Sequence, residues 1–273
     1  MLFSDRGVVL KTTDVGEKDK ILTLYTENHG VLSVYSSGSR VVKSKLLAAS
    51  DLFCFAEFVI YSKDEKQYSI REAQLINCFY NVRMDLSSMA LGNYICEIAR
   101  VTGTSDVPDP MFLRLVLNAL YAIDSRKYPL AKIKAAFEVR TVSILGFCPD
   151  MAGCFQCGME DENTVLDVMD GKLVCSKCRK ELENSLYFRT PEELEGHRSI
   201  LAILGPDALS AWRYCIGCKL EHLLSFELTN EQSQREFCRS AEIYILNQLE
   251  CGLLALNFYR QVLSKDDLDH WKV

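Results

Sequence analysis

Four cysteines in two pairs, Cys154-Phe-Gln-Cys157 and Cys175-Ser-Lys-Cys178, constrain this chain more than any other feature. Two residues between cysteines let both sulfurs of a tight turn aim at one centre. Two such knuckles supply four thiolates in a tetrahedron, the arrangement zinc takes in closed structural sites. Gly158 follows the first pair, where a small residue suits the turn. Residues 164–168 and 172–174, divided by Asp170-Gly171, read as a hairpin, which completes a zinc-ribbon pattern. With four protein ligands no position is left for water or substrate. The metal, one structural Zn2+, is therefore expected to hold the fold and to do no chemistry.

The chain has 12 cysteines and no basic leader ahead of an apolar stretch. A reducing compartment, with metal-bound and buried thiols, explains that usage better than disulfides, and a cytoplasmic location is expected. No stretch approaches the roughly 20 apolar residues that span a bilayer, so no membrane partner is expected. Cys215-Ile-Gly-Cys218 falls inside an apolar-periodic stretch, 208–224, read as one helix with both thiols on one face. A redox role would need a βαβ context, which is missing, so these read as core cysteines. The four histidines are dispersed, and no phosphate loop or nucleophile elbow occurs. A non-enzymatic protein is expected, although an active site assembled from distant residues would leave no local motif.

The first eighty residues read as five short strands, at 6–13, 20–25, 31–36, 52–61 and 68–75, separated by turn-formers such as Asn28-His29-Gly30. Five strands in so short a stretch suit a small closed barrel, which removes exposed edges. An SH3-like barrel fits the same pattern. From about Met84 the period becomes helical: Leu91, Tyr94, Ile95 and Ile98 recur at that spacing, and Pro108-Asp109-Pro110 and Tyr128-Pro129 divide successive helices. Thr190-Pro191-Glu192-Glu193 reads as a capping box. Gly205-Pro206-Asp207 and Thr229-Asn230-Glu231 open further helices. The division is 1–80 for the barrel and 81–273 for a helical domain, with 146–180 inserted as the zinc module.

Formal net charge is −6. That excludes a generally basic coat but not a local patch. No acidic residue lies between Glu27 and Asp51, whereas Arg40, Lys43 and Lys45 cluster after the third strand and Gly38-Ser39 lend the approach flexibility. Tyr25, Tyr35, Tyr61 and Tyr68 lie on neighbouring strands. Cations for phosphates and aromatic faces for bases are what a single-strand groove on such a barrel requires. Arg40, Lys43, Lys45 and Tyr35 are the candidate DNA-binding residues.

The order of these parts resembles the RecO recombination-mediator family. The resemblance rests on Gly7-Val-Val-Leu-Lys11, on Gly16-Glu17-Lys18-Asp19-Lys20 running to Tyr25, and on the basic loop Gly38-Ser39-Arg40-Val41-Val42-Lys43-Ser44-Lys45-Leu46. Gly146-Phe147-Cys148-Pro149 ahead of Cys154-x-x-Cys157-Gly158 resembles the family's lead into its zinc module. It covers the chain to about residue 180. The resemblance implies an α+β protein: an N-terminal five-stranded OB-like β-barrel, then an all-α helical domain with an inserted four-cysteine zinc ribbon. It implies binding of single- and double-stranded DNA, annealing of complementary strands, and, with the partner RecR, loading of RecA onto strands coated with single-strand-binding protein. Val41 and Val42 stand where the family loop usually carries more charge, so tight DNA binding is expected to need RecR. The resemblance also implies a groove among the helices for the acidic C-terminal tail of single-strand-binding protein. Such a groove needs an apolar pocket with a cation at its rim, for which Arg126, Lys127, Lys132 and Arg140 are the candidates. The competing reading is a zinc-stabilised interaction module in RNA handling or transcription.

Overall fold

The computed structural model describes residues 1–63, 67–103, 108–186 and 200–263. They form two compact units, Met1–Leu130 with Leu253–Leu263, and Ala131–Gly252.

The first unit begins with five strands, β1 (Leu2–Val15), β2 (Asp19–Thr26), β3 (Gly30–Ser36), β4 (Phe55–Ser62) and β5 (Tyr68–Asn77). Alternation sets their faces. In β3, Leu32, Val34 and Ser36 are buried while Ser33 and Tyr35 face out; in β4, Ala56, Phe58 and Ile60 are buried while Glu57 and Tyr61 face out. β1 is long enough to serve two neighbours. It pairs with β4 from Leu2↔Tyr61 to Val8↔Phe55, and with β2 from Gly7↔Thr26 to Val15↔Asp19. The two ladders overlap at Gly7, where a Cβ would stand 2.9 Å from the Tyr25 carbonyl oxygen. The wall closes in the order β1-β2-β3-β5-β4, with a short parallel seam at Val34↔Tyr68 and Tyr35↔Ser69. This is the five-stranded Greek-key barrel of the OB type, not the SH3-like alternative. Val9, Leu22, Leu24, Phe58 and Ile60 fill it, and Leu46 and Ala49 join this core from the β3–β4 connection. The start of β4 lies three residues later than the apolar run suggests, because Phe53 takes a left-handed φ of 69°.

Helix α1 (Leu86–Thr102) starts at Asp85, whose carboxylate accepts the Ser88 N–H. Helix α2 (Pro110–Ser125) starts at Asp109, which accepts the Met111 and Phe112 N–H groups, with Pro110 at its first position. The last described helix, α7 (Leu254–Val262), packs against α1, and Glu97 of α1 accepts the Ala255 N–H at 2.7 Å. Tyr25 leaves the barrel surface for this helical layer: it is buried, its ring 5.7 Å from that of Phe112. The change from strand to helix at residue 80 therefore divides element types, whereas compactness keeps α1 and α2 with the barrel.

The second unit contains α3 (Leu130–Ile144), β6 (Asp150–Cys154), β7 (Val165–Asp167), β8 (Lys172–Val174), α4 (Ser176–Leu186), β9 (Leu201–Ile203), α5 (Pro206–Gly217) and α6 (Glu231–Leu249). β7 and β8 form the expected hairpin, and Gly171 has the left-handed φ of 63° its turn needs. β6 and β9 extend it to a four-stranded sheet in the order β6-β8-β7-β9. Trp212 of α5 donates to the Ser240 hydroxyl of α6 at 2.8 Å. The single helix expected over 208–224 is corrected. α5 stops at Gly217, Cys218 is extended (ψ 163°), and a short 3-10 turn, Leu220–His222, follows. The capping box at Thr190–Glu193 lies outside the described residues. Among the described residues no helix is long and apolar enough to cross a membrane.

Candidate nucleic-acid interface and metal centre

The connection after β3 carries the basic cluster. Gly38 takes a left-handed φ of 67°, and its N–H donates to Asp19 Oδ1 at 2.6 Å. The other oxygen of Asp19 accepts the Tyr35 hydroxyl. The Gly38 N–H, with Tyr35 second, holds the Asp19 carboxyl below its usual range, and the same bond pushes the Tyr35 phenol up. The Arg40 N–H donates to the Lys18 carbonyl, while its guanidinium donates to Gly16 O at 2.8 Å and pairs with Asp14 at 3.3 Å. Successive turns at Val41 and Ser44 then lead to buried Leu46. The loop is thus tied at both ends, which corrects the expectation of a flexible approach.

Lys43 and Lys45 are exposed, and among the described residues neither has an ion-pair partner. Arg40 is exposed but braced against the β1–β2 turn. Tyr35 faces solvent on the same side of β3 as Ser33. Tyr35, through Asp19, and Arg40, through Gly16 and Lys18, thus lie by the turn between β1 and β2, and Lys43 and Lys45 follow Arg40 on the same loop. Tyr25 does not belong with them.

The four cysteines also converge. Their sulfurs all lie within 4.8 Å of one another, and Cys157 and Cys175 are 3.7 Å apart. A tetrahedron with metal–sulfur bonds of about 2.3 Å has edges of about 3.8 Å. Gly153 (φ 150°) and Gly158 (φ 72°) shape the first knuckle: the Gly158 N–H donates to Cys154 O at 2.8 Å, and a Cβ on Gly153 would stand 2.6 Å from Gly158 O. The second knuckle opens α4, where Asp161 accepts the Ser176 N–H. Burial pushes the Cys154 thiol up, but N–H groups of Cys175, Cys157 and Gln156 outweigh it and bring it down to about 6. Burial raises Cys178, which shares hydrogen bonds with the other three thiols. One sulfur is thus readier to ionise than Cys178, and a bound cation would favour the thiolate form of the set. Four cysteines could hold a metal here, three buried and Cys157 exposed. Arg213 of α5 fastens this module by donating to Met151 O at 2.8 Å and pairing with Glu160.

The four cations chosen for partner binding fall into two kinds. Arg126 ends α2 in a left-handed conformation (φ 54°) and is exposed, as is Lys127. Lys132 donates to Phe226 O and lies over its ring at 4.6 Å. Arg140 donates to the carbonyls of Cys215, Ile216 and Cys218, where α5 ends with its oxygens unsatisfied. The sequence offered no sign that these two are internal fasteners. A cavity of about 410 Å³ in the first unit is lined by Leu10, Leu52, Leu254 and Phe258 together with Lys11, Arg100 and Glu97, the last pairing with Arg100 at 3.5 Å.

A closed five-stranded OB barrel with an exposed basic loop, in one chain with four cysteines that could hold a metal ion, is the build of a nucleic-acid-handling protein. Residues 1–79 match the family model "Recombination protein O N terminal" and residues 83–192 match "Recombination protein O C terminal". The chain is 31% identical to the DNA repair protein RecO of Caldicellulosiruptor bescii, over 74% of this chain and 80% of that one. It is 29% identical to that of Acetivibrio thermocellus, over 93% and 94% respectively. The chain belongs to the RecO family of DNA repair proteins.

Proposed function

We propose that this protein is a non-enzymatic recombination mediator of the cytoplasm. It binds single- and double-stranded DNA, anneals complementary strands, and with RecR helps load RecA onto strands coated with single-strand-binding protein. Its metal is one zinc ion with a purely structural role. The observation that carries the reading is the pair Lys43 and Lys45, unpaired among the described residues and held on a tied loop at the edge of an OB barrel. Cations placed so meet phosphates, which every sequence shares, so binding is sequence-independent. The acidic tail of single-strand-binding protein needs an apolar pocket with cations at the rim. Arg126 and Lys127, both exposed, are the cations offered for it, and the cavity lined by Leu10, Leu52, Leu254, Phe258 and Lys11 offers apolar surface beside a cation.

The test is annealing of complementary strands precoated with single-strand-binding protein, with and without RecR. Acceleration that the Lys43→Ala/Lys45→Ala variant loses supports the proposal. No acceleration under either condition, with tighter binding to RNA than to DNA, turns the reading to the RNA-handling alternative.

A further inference from the structure

A row of side chains crosses the outside of the barrel at right angles to its strands. Strand register puts Ile21 beside Tyr35, Tyr35 beside Ser69, Ser69 beside Tyr61, and Tyr61 beside Leu2. Paired residues share a face, and the four large members are all on the surface: Ile21 37%, Tyr35 38%, Tyr61 37% and Leu2 61% exposed. Tyr35 and Tyr61 stand two strands apart, about 10 Å, with only the small Ser69 between them. Beside them the β4–β5 ladder slips: Ile60 pairs with Ile70 but Val59 pairs with Glu72, so Arg71 is the extra residue of a β-bulge. Bulges re-aim side chains, and this one lays the Arg71 guanidinium over the Tyr61 ring, 4.8 Å from its centroid. The carboxylates bordering the row, Asp19 and Glu72, are each one outward position off it, and Asp19 is engaged by Tyr35 and Gly38.

We infer that Tyr61 and Arg71 form a second stacking platform, paired with Tyr35 across the β3–β5 seam, that takes the bases of an unpaired strand and selects single strands over duplex. The inference rests on the DNA-binding reading above. A ring stacked with a planar cation offers a face to any base and charge to the adjoining phosphate. The chemistry favours nucleic acid as occupant because the Tyr35 end of the row leads into the loop bearing Lys43 and Lys45, and that segment, Asn28 to Ser50, contributes no acidic side chain of its own. In a duplex the base faces are already covered by their neighbours, so this platform has nothing to take. The two lysines need only phosphates and serve both forms.

Affinities of the full chain for oligothymidylate and for a duplex of equal length, at several salt concentrations, test this. Tyr61→Ala is expected to weaken the single strand about tenfold, with the duplex and the salt slope unchanged; Tyr61→Phe is expected to restore binding. Arg71→Ala is expected also to flatten the single-strand slope by about 0.7. On the unaltered protein, oligothymidylate carrying a photoreactive halogenated base is expected to crosslink at Tyr61. If that crosslink is absent and Tyr61→Ala keeps single-strand affinity, or loses RecR binding instead, the platform is overturned while the basic loop stands. If the unaltered protein binds neither DNA, both readings fall together.

Discussion

Lys134 lies in the interior of the second unit with no solvent exposure, its ammonium 2.6 Å from Glu138 on the next turn of α3 and 2.6 Å from Glu242 on α6. Burial disfavours its charge, but the two carboxylates more than offset that, so its pKa is raised above the ordinary lysine value. The cluster fastens two helices through charge, and charge in the interior is stable only while each member keeps its partner. Lys134→Met is expected to take a buried cation away from both carboxylates and to cost about 3–5 kcal/mol, read as a lower urea midpoint. Changing all three residues to apolar ones of similar volume is expected to recover most of that. The pH dependence has a definite sign. Because the folded-state pKa is raised, the lysine's contribution is whole at neutral pH and is lost as pH climbs through the folded value. Urea midpoints followed upward from pH 9 should therefore fall faster in the natural protein than in the triple variant. Equal slopes would mean that Lys134 is not charged in the folded chain.

Among elements, the cysteine module is the one whose stability is expected to depend on an added component. Its strands β7 and β8 have three residues each, and on the cysteine side only Val165 and Val174 pack with the sulfurs, while Leu166 and Leu173 are buried on the other face. A metal bound by the four cysteines would tie that side together. Cys175→Ser is expected to abolish the one equivalent of zinc that metal analysis should find in the natural protein. Hydrogen exchange should then speed up across 150–181, while β1–β5 keep their protection because their core is separate. Zinc retained in full by Cys175→Ser would show that the four sulfurs do not share one ion. This module was legible in the sequence because metal geometry dictates ligand spacing. The barrel was legible because each wall strand alternates between core and solvent. β9 was not: Leu201-Ala202-Ile203 is too short to show a period, and only pairing with β7 makes it a strand. The end of α5 was also hidden, because apolar residues continue at helical spacing past Gly217 while the backbone turns at Cys218. Tyr61 was legible as one of the strand tyrosines, but its pairing with Arg71 was not, since that arises from a slip in register between two strands.

At the scale of the whole molecule, acidic residues outnumber basic ones, 37 to 31. DNA must therefore approach a protein that repels it overall and attracts it at few places, and losses at those places should not be compensated elsewhere. The salt dependence of binding counts the contacts, since each phosphate contact on a single strand contributes about −0.7 to the log–log slope. Lys43→Ala/Lys45→Ala is expected to flatten that slope by about 1.4, and to weaken binding at low salt more than at high salt, where the counterion term is already small. Arg40 should add less than a full contact, because its guanidinium is shared with Gly16 O and Asp14 in the protein alone. Adding Arg40→Ala should therefore bring the total change to no more than about 2. The loss should be nearly the same for every base composition, because phosphates carry no sequence. Titrations of several oligonucleotides across a range of potassium chloride decide it. A double variant whose slope equals that of the natural chain would mean that no phosphate rests on Lys43 or Lys45, however exposed they are.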